Sequence, residues 1–168
     1  MNNQTNILET DTILNSIYKK GAIVLNMFNN KYKKFLNNIL ILESLNIKNK
    51  AVLVFTLNQK KEDLINNLIC TKAGVSIVKR NLLEGDWIKI AYATSEFSDP
   101  SICITDDCRT VDDIVHAVCN YIKNNLKEIN FVLIDNLWKI ESDIDFDIIV
   151  KDLNIFAKYN NLSLIILK

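Results

Sequence analysis

The residues with the clearest chemical potential lie in a short polar turn near the start of the chain. The apolar run AIVLNM (22–27) reads as a strand, FNNKY (28–32) as a turn, and the residues up to Leu45 as a helix. This order presents backbone N–H groups at a helix N-terminus, where a nucleotide phosphate commonly binds. The position therefore predicts a phosphate site, although the turn contains no glycine with which to wrap a phosphate closely.

Positive charge is concentrated around this turn. Lys31, Lys33 and Lys34 begin the following helix, and Lys19 and Lys20 shortly precede the strand. These side chains either form a residual anion site or belong to a solvated helix face. We favour the solvated face, because the helix dipole disfavours lysines in a first turn.

Acidic residues suggest a second kind of chemistry, the binding of a cation. Asp135 ends the apolar run FVLID, where it could either hold a metal ion or cap a turn. One acid pair, 106–107, follows the run SICIT, and another, 112–113, lies in the first turn of the next helix. A strand-end turn and a helix cap explain these two pairs more simply than a cation site does.

The chain contains four cysteines and one histidine that could bind zinc. Cys70, Cys103, Cys108 and Cys119 show no CxxC pairing, and His116 precedes Cys119 by three residues. Scattered buried thiols in a reducing compartment explain this arrangement better than a zinc site. We therefore expect no resident metal at these residues.

The elements that must position these side chains follow from the hydrophobic pattern. Five apolar runs have the length and composition of buried strands: 22–27, 51–57, 101–105, 131–135 and 162–167. Helical spacing predicts helices over 7–18, 31–45, 59–71, 84–97 and 146–159, and another that starts at Thr110. Strands separated by helices need crossover connections. The predicted fold is therefore α/β, an open, mostly parallel sheet with helices on both faces.

Several residues have more local roles in this prediction. Gly74 suits a left-handed helix C-cap, and Thr110 with Asp113 forms a weak capping-box pattern. Trp87 lies on an apolar helix face and is predicted to be core, and Ile122 is predicted to face inward. Trp138 follows the fourth strand and is the better candidate for a surface contact.

Composition limits the classes of function. Among its 168 residues, the chain has 20 basic residues (Lys and Arg) and 20 acidic residues (Asp and Glu). Its net charge therefore creates no long-range electrostatic field that would attract nucleic acid or an anionic membrane. With one proline, three glycines and no linker, we expect one domain over 1–168 that buries roughly 70% of its unfolded surface. No run resembles a signal peptide or membrane span, and we expect a cytoplasmic protein.

Four segments, in order and at the right spacing, resemble the C-terminal motor domain of DnaB-type replicative helicases, a branch of the RecA-like ATPases. AGVSIVKRNLLEGDWIKIA is similar to the family's stretch between its second and third strands, and SICITDDCRTVDDI to its next strand and helix start. FVLIDNLWKI resembles its Walker B strand, and DIIVKDLNIFAKYNNLSLIIL the helix and strand that follow. The resemblance runs from about Thr12 to the end and implies a RecA-like fold.

The family's nucleotide loop is degenerate in this sequence. Aligned on that loop, LNMFNNKY places Leu25 and Asn30 at its two glycine positions. Tyr32 stands at the Ser/Thr position, and the lysine alone survives, as Lys31. Asn29 and Asn30 could partly imitate glycine, because asparagine adopts left-handed angles at a cost of about 1 kcal/mol each.

The resemblance also implies the loss of the catalytic base. The family carries a water-activating glutamate after its second strand, and the matching residue here is Asn58. An amide cannot act as a general base near neutral pH. Asp135 remains at the Walker B position, where the family organises magnesium, but the loop hydroxyl that would complete such a magnesium site is missing.

These departures lead to a hypothesis about function. We expect a non-catalytic pseudo-ATPase that acts by protein–protein interaction in DNA replication or a mobile element, with a replicative helicase, its loader or another copy as partner. The alternative is a helicase-type ATPase that binds ATP weakly or hydrolyses it slowly. We expect at most weak binding of Mg·ATP and no other cofactor. Since the resemblance stops at the fifth strand, we expect neither the family's DNA-contacting loop nor its arginine finger, and DNA binding that is weak or absent.

Overall fold

The computed structural model describes residues 19–25, 38, 41, 50–76, 81–97, 101–124, 127–140 and 142–168. The predicted helix over 7–18 and the FNNKY turn lie outside the described residues. Of the predicted helix over 31–45, the structure describes Asn38 and Ile41, which are both helical and buried.

The described strands form one open parallel sheet. Its members are β1 (Gly21–Leu25), β2 (Lys50–Thr56), β3 (Ile102–Thr105), β4 (Glu128–Asp135) and β5 (Ser163–Leu167). Their order across the sheet is β1-β5-β4-β2-β3, and all four neighbouring pairs are parallel. The five predicted strands and their parallel arrangement are confirmed, and β4 begins three residues earlier than predicted.

The described helices follow the strands in the predicted alternation. They are α1 (Lys61–Ala73), α2 (Glu84–Glu96), α3 (Val111–Asn124) and α4 (Phe146–Tyr159), with a short 3-10 helix at Leu137–Lys139. No helix in these described ranges is long and apolar enough to cross a membrane.

Two apolar layers, one on each face of the sheet, form the core. The α1 residues Leu64 and Leu68 pack on one face with Val54 of β2. On the other face, α3 and α4 cover the alternate strand residues, with Ile114 and Leu153 among the buried side chains. Successive residues along the three inner strands, β2, β4 and β5, are thus buried, which is why these strands read as continuous apolar runs rather than as alternating ones.

Capping chemistry fixes several helix ends as predicted. Gly74 ends α1 with φ 65° and ψ 28°, and its N–H bonds back to the carbonyls of the last turn. At the start of α3, the Asp113 N–H donates to Thr110 Oγ1 at 3.2 Å, and the Thr110 N–H donates to Asp113 Oδ2 at 2.8 Å. The predicted Thr110–Asp113 capping box is therefore confirmed.

Two predicted core side chains are instead exposed. Trp87 is 59% exposed, because α2 packs against α1 and buries only Ala93 fully among its residues. Ile122 is 44% exposed, because it lies in the last turn of α3, beyond the buried Ile114 and Val118. The predictions for Trp87 and Ile122 were wrong. Trp138 is 52% exposed, which confirms its place at the surface.

Candidate functional site at the carboxyl edge of the sheet

The parallel sheet gathers the ends of its strands along one edge. The register aligns Leu25 of β1 with Leu167 of β5, Leu167 with Asp135 of β4, and Asp135 with Thr56 of β2. Neighbouring strands lie about 4.8 Å apart, so Asp135 is about 10 Å from the end of β1. The Walker B position and the strand that leads into the FNNKY turn therefore open onto the same edge. Asn29, Asn30, Lys31 and Tyr32 themselves lie outside the described residues.

Asp135 is held rigidly at this edge. Its side chain is buried, and its backbone carbonyl accepts a hydrogen bond from the Leu57 N–H at 3.3 Å. The next residue, Asn136, has φ 64° and ψ 45°, and its N–H donates to the Leu167 carbonyl at 3.0 Å. Hydrogen bonding thus continues beyond the ladder on both sides of β4. It gives Asp135 a fixed position from which its carboxylate can organise a cation or hold a turn.

Asn58 lies just beyond β2 and is exposed. The turn that carries it is closed by a hydrogen bond from Thr56 Oγ1 to the Gln59 carbonyl at 3.0 Å. Asn58 borders a cavity of about 300 Å³ at the carboxyl edge. The other residues lining this cavity are Thr56, Leu57, Gln59, Lys60, Asp106, Cys108, Arg109, Lys139 and Ile140.

One member of each acid pair, Asp106 and Asp113, has a structural role of the kind that the sequence favoured. Asp106 Oδ2 accepts a hydrogen bond from the Lys61 N–H at 2.9 Å, at the start of α1. The N–H groups of Arg109 and Thr110, which bond to the Asp113 carboxylate, lower the pKa of that carboxyl. In the part of the chain that the structure describes, no group of three or more His, Cys, Asp and Glu side chains could hold a metal ion.

The cysteines are free thiols, and none is paired in a disulfide. Burial raises the pKa of the Cys103 and Cys108 thiols, and the nearby Asp113 and Asp107 carboxylates raise that of Cys108 further. Both thiols are therefore protonated near neutral pH and are poor nucleophiles. The four thiols are scattered as predicted, but only Cys108 is buried, and the other three are half-buried.

The cations of the cavity were not among the predicted site residues. Lys60 follows β2, Arg109 follows β3, and Lys139 lies in the 3-10 helix after β4. The position of these three residues, just after the strands, is the sequence signal that could have found them. Once the sheet is taken as parallel, the residues just beyond each strand share one edge, and their charges could have been compared there.

Fold and site together define the class of this protein, a parallel α/β domain whose polar residues collect beyond the carboxyl ends of its strands. The DnaB-like helicase C-terminal domain family matches the chain over residues 11–167. The chain belongs to this family. A search of curated proteins finds no match.

Solved structures share the fold. One, described as the ATPase domain of a larger protein, superposes with a TM-score of 0.72 and 21% identity, over 89% of this chain and 57% of that one. The structure of a DnaB-like replicative helicase and its interactions with primase gives a TM-score of 0.71 and 23% identity, over 88% of this chain and 39% of that one. The RecA-like fold implied by the sequence is thereby confirmed.

Proposed function

We propose that this chain is a non-catalytic member of its family that acts by binding other proteins. The resemblance places the family's water-activating glutamate at position 58, where this chain has asparagine. The charged residues lining the cavity beside Asn58 are Lys60, Arg109, Lys139 and the single acid Asp106. Asp106 is the one carboxylate among the described lining residues, and its Oδ2 accepts the Lys61 N–H at the start of α1, so it already has a structural role away from the glutamate position.

The observation that carries the binding role is an apolar stripe on α2. The α2 stripe consists of Leu83, which N-caps α2, and of Trp87, Ile88 and Tyr92; the pairs Leu83–Trp87 and Ile88–Tyr92 are each four residues apart. Their exposed fractions are 67%, 59%, 65% and 69%. Single exposed apolar side chains are common, but four on the outer side of one helix, two of them aromatic, are typical of a docking surface. Tryptophan and tyrosine are also the residue types that most often dominate binding energy at interfaces.

A second stripe lies on α4, which covers the opposite face of the sheet. Ile148 and Ile155 are 52% and 58% exposed, and Tyr159 is 90% exposed. Two apolar surfaces on opposite faces suit a subunit placed between two neighbours. We propose a replicative helicase, its loader or a second copy of this chain as the partner, and the cytoplasm as the place of action. One solved relative is described with its interactions with primase.

The experiment that tests this proposal measures binding to the replicative helicase and the loader of the source organism, and self-association by light scattering. Trp87→Ala is compared with Lys89→Ala, which changes an exposed residue in the same helix. An interface centred on Trp87 predicts that its loss weakens association by about 2 kcal/mol, roughly 30-fold, and that Lys89→Ala has little effect. The binding role is wrong if all three partners fail to associate, and its assignment to the α2 stripe is wrong if Trp87→Ala and Lys89→Ala bind a partner equally well.

The second candidate function is weak binding or slow hydrolysis of ATP. Its support is the position of Asp135, fixed about 10 Å from the end of β1 on the same edge of the sheet. Calorimetric titration with ATP, with and without magnesium, tests it on the native chain and on Lys31→Ala, with Lys123→Ala as control. A heat of ATP binding that Lys31→Ala abolishes and Lys123→Ala leaves unchanged supports a nucleotide site at the FNNKY turn. ATP turnover abolished by Lys31→Ala would overturn the non-catalytic proposal.

DNA binding is expected to be a minor property. Formal net charge is zero, so no long-range field concentrates DNA at the protein surface. Measurement of nanomolar affinity for single-stranded or duplex DNA at physiological salt would contradict this part of the proposal.

A further inference from the structure

The cavity beside Asn58 lies at a topological switch point of the sheet. From β2 the chain passes through α1 and α2 to β3, and from β4 it passes through α4 to β5. Because β2 and β4 are neighbours, these two connections leave in opposite directions across the sheet. They also cover opposite faces, since α1 and α4 pack in different core layers. In open parallel sheets, ligands bind beyond the carboxyl ends of the strands at such a point.

The charged side chains around this cavity, which we call the switch-point cavity, are mostly cationic. Lys60, Arg109 and Lys139 each come from a different connection, after β2, β3 and β4 respectively. Among the lining residues that the structure describes, Asp106 is the one carboxylate, so their formal charge is three positive against one negative. Three cations placed together in a concave site repel one another, and an anion would relieve that repulsion.

The cations have donors available for such an anion. Arg109 Nη1 donates to the carbonyls of Asp106 at 2.8 Å and Cys108 at 3.1 Å, which fixes the guanidinium plane. Its Nε and Nη2 groups form no hydrogen bond within the described part of the chain. Among the same described residues, Lys60 and Lys139 form no ion pair. Lys139 Nζ lies 4.3 Å from the ring centroid of Trp138, which steadies its position beside the cavity.

We propose that the switch-point cavity binds a phosphate group, carried by a small phosphate ester or by a nucleic-acid backbone. A guanidinium presents a rigid fork that matches phosphate oxygens, and two ammonium groups add point charges around it. Asn58 fits this role, because an amide in the wall donates to an anion, whereas a carboxylate would repel it. The volume of about 300 Å³ admits a phosphate with part of the group that carries it.

This cavity lies away from the carboxyl end of β1, the strand that precedes the FNNKY turn in the sequence. Strands β5 and β4 lie between β1 and β2, so the ends of β1 and β2 are three strand spacings apart, about 14 Å. Phosphate binding at the switch-point cavity therefore depends neither on the protein-binding role nor on nucleotide binding at Lys31, and its test can fail or succeed independently of both.

The test uses the full chain and two probes at physiological salt. Pyrophosphate is titrated by calorimetry, and a fluorescein-labelled oligothymidylate is titrated by fluorescence anisotropy. The variant Lys60→Gln/Lys139→Gln removes two of the cations, and Asn58→Asp adds a carboxylate to the wall. Lys89→Gln and Lys123→Gln are matched controls on exposed helix faces, and Lys31→Ala reports on the FNNKY turn. Circular dichroism verifies that each variant is folded.

We expect the native chain to bind at least one of the two probes. The double lysine variant should weaken this affinity at least tenfold, and Asn58→Asp should weaken it as well. The two control variants bind as the native chain does, and Lys31→Ala reports separately on any phosphate binding at the FNNKY turn. Binding of pyrophosphate identifies a small phosphate as sufficient. Binding of the oligonucleotide alone identifies a backbone phosphate, and the slope of log affinity against log salt then falls by about 1.4 for two lost contacts.

Two results overturn the proposal. One is the absence of binding of either probe at millimolar concentration. The other is binding that the cavity variants leave unchanged, including binding that depends on Lys31 instead. If the double lysine variant does not fold, Asn58→Asp and the single Lys60→Gln decide the question by the same criteria.

Discussion

The substitution Gly21→Ala tests how the sheet edge that leads into the FNNKY turn is built. Gly21 begins β1 with φ 120°, a conformation that L side chains rarely adopt. A Cβ at this position would lie 2.7 Å from Asn154 Oδ1 and 3.2 Å from Lys158 Cε, both on α4. The same Asn154 oxygen accepts a hydrogen bond from the Ala22 N–H at 3.0 Å. The substitution therefore strains the backbone and displaces the acceptor that ties β1 to α4.

The expected cost has two parts. A non-glycine residue in this region of backbone space costs about 1–3 kcal/mol. Displacement of Asn154 loses a hydrogen bond worth about 1 kcal/mol. We therefore expect Gly21→Ala to lower the free energy of unfolding by about 2–4 kcal/mol, or Tm by roughly 6–12 °C for a chain of this size. Urea unfolding followed by circular dichroism measures the change.

Two further variants separate the causes. Gly85→Ala is the matched control, because a Cβ there meets nothing within 4 Å and Gly85 is helical, so the substitution should stabilise by about 0.5 kcal/mol. Gly21→Ala in an Asn154→Ala background should cost about 1 kcal/mol less than in the native chain, since the clash is gone. A Gly21→Ala variant that unfolds within about 0.5 kcal/mol of the native chain would refute both the strain and the clash.

Three further predictions concern the caps and the thiols. Gly74→Ala should cost about 1 kcal/mol in urea unfolding, because φ is 65° and no atom lies within 4 Å of the new Cβ, so only backbone strain contributes; an unchanged midpoint would contradict this. The folded pKa of Asp113 is lowered, so its stabilising contribution is complete above the ordinary value of 3.8 and disappears as pH falls through the folded pKa. Asp113→Asn should therefore unfold with less pH dependence below pH 3.8 than the native chain, and identical acid-unfolding curves would exclude this role. Cys108 should react with a thiol reagent at about pH 8 more slowly than the half-buried Cys119, as mass mapping can show, and equal rates would be inconsistent with its burial and raised pKa.

The hydrophobic pattern was sufficient for the elements because their signals are local. The bounds of α4 were predicted to the residue, and the Thr110–Asp113 box marked the start of α3 as the hydrogen bonds confirm. Trp87 was misplaced because an apolar residue on a helix reads the same whether or not a neighbour covers it. In this fold α2 packs on α1, and its outer stripe is left exposed.

The site was only partly predictable for the same physical reason. Asp135 and Asn58 were predicted from the family resemblance, and the structure places both at the carboxyl ends of neighbouring strands. Lys60, Arg109 and Lys139 were not, because 79 residues separate the first from the last and no motif joins them. Each of them lies beyond a different strand, so their proximity could be predicted only with the strand order in hand.

By itself, the sequence determined the α/β class and the positions of the described strands and helices, because these follow from side-chain periodicity, which the linear chain already contains. The loss of the family's glycines and glutamate is an expectation that rests on the resemblance alone. The tertiary structure alone decided the order β1-β5-β4-β2-β3, the exposure of the α2 stripe and the switch-point cavity. Those properties depend on which strands share hydrogen bonds and which helices cover them, contacts between residues far apart in the chain.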